Sequence, residues 1–239
     1  MSLTFNGVSS DSLGVIVERY PDRPIPERIV ETVRVPGRNG TLTFSEGFAN
    51  VRQDYDVYLS AAANGLPSAA AGMAAWLLAP DGYQRLTDTY NTGEYRMGRL
   101  INPEALQNFY NKYGRATLSF DCMPQRWLTS GETVTTYTAD TTITNPTSFT
   151  AMPTVYVTIA GDGQFSLGGY TVGITGVNGI VTLDCETNNA SANGGTLNLN
   201  PYVTLADGDF PKLAPGANTL TFITGSISAI KIAPRWWMI

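Results

Sequence analysis

Histidine is absent from all 239 residues, and cysteine occurs only twice. Without histidine there is no Ser-His-Asp or Cys-His mechanism and no His-ligated metal site. Two cysteines are too few for the disulfide framework of a small secreted domain. Cys122 and Cys185 both fall at inward positions of alternating stretches (Ala116, Leu118, Phe120, Cys122; Val181, Leu183, Cys185), which predicts two buried thiols acting as small apolar groups. No apolar run approaches the roughly eighteen residues of a membrane-spanning helix. Met1–Phe5 lacks a basic segment leading into an apolar one, so no signal peptide is predicted. Phosphate loops, zinc spacings and dinucleotide fingerprints are missing as well, and no cofactor is expected.

Charge is sparse, at 15% of residues, and the net charge is −5. Residues 1–126 hold twelve Lys/Arg and thirteen Asp/Glu; residues 127–239 hold three and seven. Neither half has the basic face of a phosphate-binding surface, which argues against sequence-independent nucleic-acid binding. A ring or tube whose lumen DNA merely crosses stays open.

What is present favours β structure: Thr, Asn, Gly and Tyr are plentiful, and 43% hydrophobic content suffices for a core. The strictest alternation sets Val51, Gln53, Tyr55, Val57 and Leu59 against Arg52, Asp54, Asp56 and Tyr58. Strands are also predicted at Thr32–Val35, around Leu42 and Phe44, and at Tyr83–Thr87, Tyr95–Leu100 and Arg115–Cys122. Between Leu66 and Leu78 the period changes, and Leu66, Ala69, Ala70, Met73, Trp76 and Leu77 fall on one helical stripe. Pro67 suits the first turn, and Pro80-Asp81-Gly82 stops the helix. Gly72 inside it suggests close packing. Pro103-Glu104 is read as an opening for a short helix, and Phe109, Tyr110 and Tyr113 as an aromatic cluster.

Beyond residue 128 helical periodicity disappears. Short strands are predicted at Thr154–Ile159, Phe165–Leu167, Tyr170–Ile174, Ile180–Cys185, Thr196–Leu199, Thr219–Ile223 and Ala229–Ile232. Turn signals separate them, among them Gly161-Asp162-Gly163, Gly168-Gly169 and Asn178-Gly179. Evenly spaced short strands without a helix predict a β-sandwich. The fold class is therefore mainly β (α+β), with domains at 1–128 and 129–239.

Several constellations invite a chemical reading. Asp184 and Glu186 share one strand face, and with Asp207 and Asp209 they offer the carboxylate pairs of glycoside hydrolysis. Their places at strand ends beside turns read instead as solvated surface. Asp207-Gly208-Asp209 lacks the later ligands of a calcium loop and reads as a turn. Trp236 and Trp237, with Trp127 and Tyr137, are candidates for an aromatic sugar platform. The plainer reading has one terminal tryptophan packed inward and the other covering a junction.

The sharpest punctuation is Val35-Pro36-Gly37-Arg38-Asn39-Gly40. Proline fixes its own φ and extends the residue before it, while Gly37 and Gly40 permit positive φ. A rigid strand exit and a tight turn follow, with Arg38 at the tip. A second rigid turn, Phe210–Asn218, feeds a strand at Thr219.

Together these elements resemble the distal tail protein (Dit) family of long-tailed phages. Phe5-Asn6-Gly7 precedes a Leu13–Val17 strand, and the Val35–Gly40 turn follows. Tyr95–Leu100 then leads to a Tyr113–Cys122 segment ending in Met123-Pro124. Asn145-Pro146-Thr147, Met152-Pro153, Leu183–Glu186 and Phe210–Asn218 complete the series. Thr147 stands where the family often has glycine. The resemblance implies a ring-forming belt domain of sheet plus one helix, followed by a galectin-like β-sandwich. It implies a non-enzymatic homo-hexameric hub, a virion tail-tip or baseplate component assembled in the host cytoplasm. Such a ring joins tail-tube protein to tail-tip protein, lets DNA pass, and offers its outer domain to receptor-binding proteins. Val35, Pro36, Gly37, Arg38, Asn39 and Gly40 are the candidate ring-interface turn, and Trp236 and Trp237 a candidate accessory aromatic surface. The alternative is a carbohydrate-binding β-sandwich module with an appended α/β domain.

Overall fold

A computed structural model describes residues 1–103 and 106–239. The chain is mainly β and divides into two compact units, Met1–Arg126 and Trp127–Met238. In the first unit the strands are β1 (Leu3–Phe5), β2 (Val8–Ser9), β3 (Val15–Val17), β4 (Arg28–Val33), β5 (Leu42–Phe48), β6 (Val51–Ser60), β7 (Gln84–Asp88), β8 (Glu94–Pro103), β9 (Gln107–Phe109) and β10 (Tyr113–Cys122). The helix α1 spans Leu66–Leu78. Seven strands form one antiparallel sheet in the order β2-β1-β7-β8-β10-β6-β3, and β9 adds to β10.

The alternation in β6 decides which face is inside: Val51, Gln53, Tyr55, Val57 and Leu59 are all buried. On that face Phe5, Tyr55, Phe120 and Trp76 form an aromatic centre. Phe5 lies 5.3 Å from Phe120 and 6.4 Å, edge-on, from Trp76. Such pairs contribute beyond simple burial. The stripe of α1 places Leu66, Met73, Trp76 and Leu77 in the core, and the Trp76 indole donates to the Phe5 carbonyl at 3.0 Å. Gly72 is not crowded, however: a Cβ there would meet nothing within 4 Å. Nor is there an aromatic cluster at the β9–β10 turn. Tyr113 stacks on Tyr58 at 5.5 Å, whereas Tyr110 is 94% exposed. Glu104, part of the expected short helix, lies outside the described residues; β9 occupies the segment that follows.

Strand β11 (Arg126–Leu128) carries the chain into the second unit. There follow β12 (Thr135–Tyr137), β13 (Thr141–Asn145), β14 (Thr154–Leu167), β15 (Tyr170–Asp184), β16 (Asn189–Ala192), β17 (Leu197–Asn198), β18 (Val203–Leu205), β19 (Gly216–Ala233) and β20 (Trp237–Met238). The eight-stranded antiparallel sheet runs β12-β19-β14-β15-β16-β17, with β13 also on β19 and β18 also on β15. Its core draws on Val155, Val157, Phe165, Leu167, Val181, Leu183, Leu220 and Ile230.

Three pairs of predicted short strands are single long ones. Gly161-Asp162-Gly163 and Asn178-Gly179 are not hairpin turns; β14 and β15 run through them, as β19 runs through Gly225. The ladders shift register there instead of ending. Gly225 has φ +85, and a Cβ on it would lie 2.2 Å from the Asp162 carbonyl oxygen. Glycine thus permits a bulge that bends the strands without breaking their pairing. Gly168-Gly169 is a true turn, closing the Leu167↔Tyr170 pair.

Candidate functional site

β4 and β5 form a separate two-stranded sheet, pairing Arg28 with Phe48, Glu31 with Phe44 and Val33 with Leu42. The β-branched run Ile29, Val30, Thr32, Val33 suits a strand. The Val35–Gly40 hexapeptide caps it. Pro36 and Gly37 occupy the central positions of a β-turn, Gly37 has φ +80, and the Arg38 amide donates to the Val35 carbonyl at 3.2 Å. That is a type II turn, which needs positive φ at its third residue and accepts proline at its second. Every residue of the hexapeptide is exposed. The guanidinium groups of Arg34 and Arg38 have no partner among the described residues.

Both faces of this hairpin are bare. Ile29, Val30, Val33, Val35 and Phe44 are all exposed large apolar residues. An isolated two-stranded hairpin is marginal in water. Local contacts hold its root: the Ala49 amide donates to the Glu27 carbonyl at 2.8 Å. Arg28 donates to the Ser45 hydroxyl at 2.9 Å and covers the Phe48 ring at 4.7 Å. The strands expected at Thr32–Val35 and around Leu42 and Phe44 overlap β4 and β5, while their separation from the main sheet was not foreseen. A signal was present: the consecutive apolar residues Ile29 and Val30 break the strict in-out alternation seen in β6, as expected of a strand with no single buried face.

The other candidates have structural surroundings. Trp236 is 6% exposed and belongs to the second unit's core. Trp237 stacks on Phe149 at 4.4 Å and donates to the Thr150 carbonyl at 3.0 Å. Asp184 accepts from the Glu186 amide at 3.1 Å, and Arg235 bridges Asp184 and Glu186. Asp207 accepts from the Thr171 amide at 2.9 Å, while Asp209 pairs with Lys212. These carboxylates are thus fixed in turns and ion pairs. Among the described residues no group of three potential ligands could hold a metal ion.

A mainly β chain of this order, with an uncovered hairpin in its first unit, has the fold of phage tail hub proteins. In particular, the likeness spans 100% of this chain and 99% of the Dit protein (gp 19.1) of phage SPP1, with a TM-score of 0.76 and 16% identity. That protein is described as a paradigm of the hub adsorption apparatus in phages infecting Gram-positive bacteria. The phage p2 baseplate in its activated conformation matches at a TM-score of 0.50 and 9% identity, over 92% of this chain and 90% of the other. No family model and no curated protein matches the sequence. The resemblance read from turns and strand order is therefore carried by the fold.

Proposed function

We propose that this chain is a structural hub of a long-tailed phage tail tip, six copies of which close into a ring. The reading rests on the full-length likeness to the SPP1 hub protein. The ring joins tail-tube protein on one side to tail-tip protein on the other, and DNA crosses its lumen without being read. A heterologous interface that closes on itself makes such a ring. The bare β4–β5 hairpin supports it, because a neighbouring subunit would cover the apolar residues that this chain leaves exposed. Arg38 then meets a carboxylate of that neighbour. The second unit, a galectin-like sandwich carrying net −4, faces outward and offers a place for receptor-binding proteins. The protein performs no catalysis, assembles in the host cytoplasm and resides in the virion tail.

Native mass measurement and micrographs of the purified protein test this. The expected species is six times the 25.7 kDa chain, seen as sixfold rings. Arg38→Ala should weaken ring formation and leave the monomer folded. A monomer that persists at high concentration with tail-tube protein present overturns the reading.

A further inference from the structure

Five asparagines of this chain precede a glycine: Asn6, Asn39, Asn64, Asn178 and Asn193. Such a pair has a chemistry of its own. The glycine amide nitrogen, once hydroxide removes its proton, attacks the asparagine Cγ, and glycine carries no Cβ to obstruct the approach. The attack needs two freedoms: an amide without an acceptor, and a backbone that can turn between the two residues. Asn6 and Gly7 form the two-residue turn that closes the Phe5↔Val8 pair, at φ 49 and 77, and the Asn6 amide donates to the Arg85 carbonyl at 3.0 Å. The Gly65 amide donates to the Ala62 carbonyl at 2.8 Å where the chain enters α1. Asn178 and Gly179 lie inside the β14–β15 ladder, opposite Ala160 and Ile159. Asn193 and Gly194 belong to the 3-10 turn Asn193–Gly195, with Gly194 held at φ 68.

Asn39 differs from these four. It lies between the type II turn of the arm and the start of β5, and belongs to neither. Among the described residues its side chain has no hydrogen-bond partner and the Gly40 amide has no acceptor. A Cβ at Gly40 would meet nothing within 4 Å, so the segment has room to turn. Both residues are exposed, and water reaches them. Arg34 and Arg38 carry the only charges of residues 33–45, and positive charge favours the deprotonated amide that attacks.

We propose that Asn39 is a built-in deamidation site, the first Asn-Gly pair of this chain to convert, and that its conversion disables the arm. The Gly40 nitrogen bonds to Asn39 Cγ, the Cγ–Nδ2 bond breaks, and the proton lost by Gly40 leaves with the amide group as ammonia. Water then opens the cyclic imide at either carbonyl, its hydroxyl going to carbon and its proton to nitrogen. Opening at Cγ leaves aspartate. Opening at the backbone carbonyl leaves isoaspartate, whose main chain is one carbon longer. Either product sets a carboxylate beside Arg38 that competes with a partner for the guanidinium. Isoaspartate also displaces the chain between the turn and the Val33↔Leu42 pair. The disabling of the arm rests on the hub reading; the conversion does not.

The purified native chain, aged at mildly alkaline pH, is mapped by peptide mass spectrometry, with isoaspartyl methyltransferase marking the iso form. Aspartate and isoaspartate should accumulate at position 39 before any other Asn-Gly pair. Earlier or equal conversion at Asn6, Asn64, Asn178 or Asn193 overturns the site. Anion exchange then separates chains converted at position 39 from unconverted chains of the same aged sample, and native mass measurement compares the two. The unconverted fraction should form rings and the converted fraction should lose them. Equal ring formation by both fractions overturns the disabling of the arm. Absence of rings in fresh chain and unconverted fraction alike overturns the hub reading and the disabling with it, while the peptide map still decides the conversion.

Discussion

Asn145 shows how much one amide organises. It is buried; its Nδ2 donates to the Leu213 carbonyl at 3.0 Å and the Phe149 carbonyl at 2.9 Å. Its Oδ1 accepts from the Thr147 amide and hydroxyl, each at 2.9 Å. Asn218 does the same for the second rigid turn, donating to the Ala214 and Gly216 carbonyls at 2.8 and 2.9 Å. Asn145→Leu keeps similar volume but strands these groups, and should destabilise the second unit by about 2–3 kcal/mol. Denaturant unfolding followed by tryptophan fluorescence checks this, because three of the four tryptophans, Trp127, Trp236 and Trp237, lie in that unit. Gly72→Ala should act the other way. With open space around it in a helix, alanine should stabilise the first unit by roughly 0.5–1 kcal/mol, read as a higher denaturation midpoint. The two cases also mark what was legible in the sequence. Asn145 and Asn218 both stand in segments singled out in the sequence, Asn218 at the end of a rigid turn, but their part in binding distant carbonyls depends on chain crossings that local pattern does not encode. A helical glycine reads identically whether it is crowded or open.

Elements divided by how self-contained their signals are. α1 spans the predicted Leu66–Leu78, because its stripe, its early proline and its stop are all local. β14, β15 and β19 were each read as two strands, because a bulge glycine and a turn glycine permit the same φ. What separates them is the neighbouring strand, which lies far off in sequence. Gly225→Ala therefore tests the bulge. Its Cβ would meet the Asp162 backbone, so the loss should reach about 2 kcal/mol or more. Gly169→Ala, equally positive in φ but in open space, should lose about 1 kcal/mol. Equal losses in calorimetry of the two variants would show that backbone strain alone decides. The β4–β5 arm obeys a different logic. Phe44→Ser removes an exposed apolar residue, so the monomer's stability should change by less than about 0.5 kcal/mol. Ring formation by the same variant should fail in native mass measurement. A lower monomer melting temperature with intact rings would place Phe44 in the fold of the arm and outside any interface.

Across the whole molecule, buried titratable groups set the pH range of stability, and the two ends differ in kind. On the acid side, the Thr117 hydroxyl and then Arg19 hold Asp56 below the usual carboxylate range. A depressed carboxyl stabilises the fold above its unfolded pKa, and this contribution disappears as pH falls through the folded value. Because Asp56 is partly open to solvent, the effect should be small. On the alkaline side, burial pushes the Cys122 and Cys185 thiols up to about 12. Burial, followed by the nearby Asp88 carboxylate, raises Tyr55 as well. A raised pKa gives the opposite sign: stability is full below the unfolded thiol value and is lost as pH climbs toward 12. In the first unit the lowered pKa of Arg96 opposes this trend, so the clean measurement is on the second, where Cys185 stands without a buried arginine. Trp76→Phe confines the fluorescence to the second unit. In that background the denaturation midpoint should hold steady from pH 7 to about 8.5 and then fall steeply. Adding Cys185→Ala should lower the plateau by about 1 kcal/mol for the lost packing and flatten the alkaline fall. If the fall keeps its slope without Cys185, the alkaline limit belongs to another group, such as Lys212, raised by its hydrogen bond to Asp209, and not to the buried thiol.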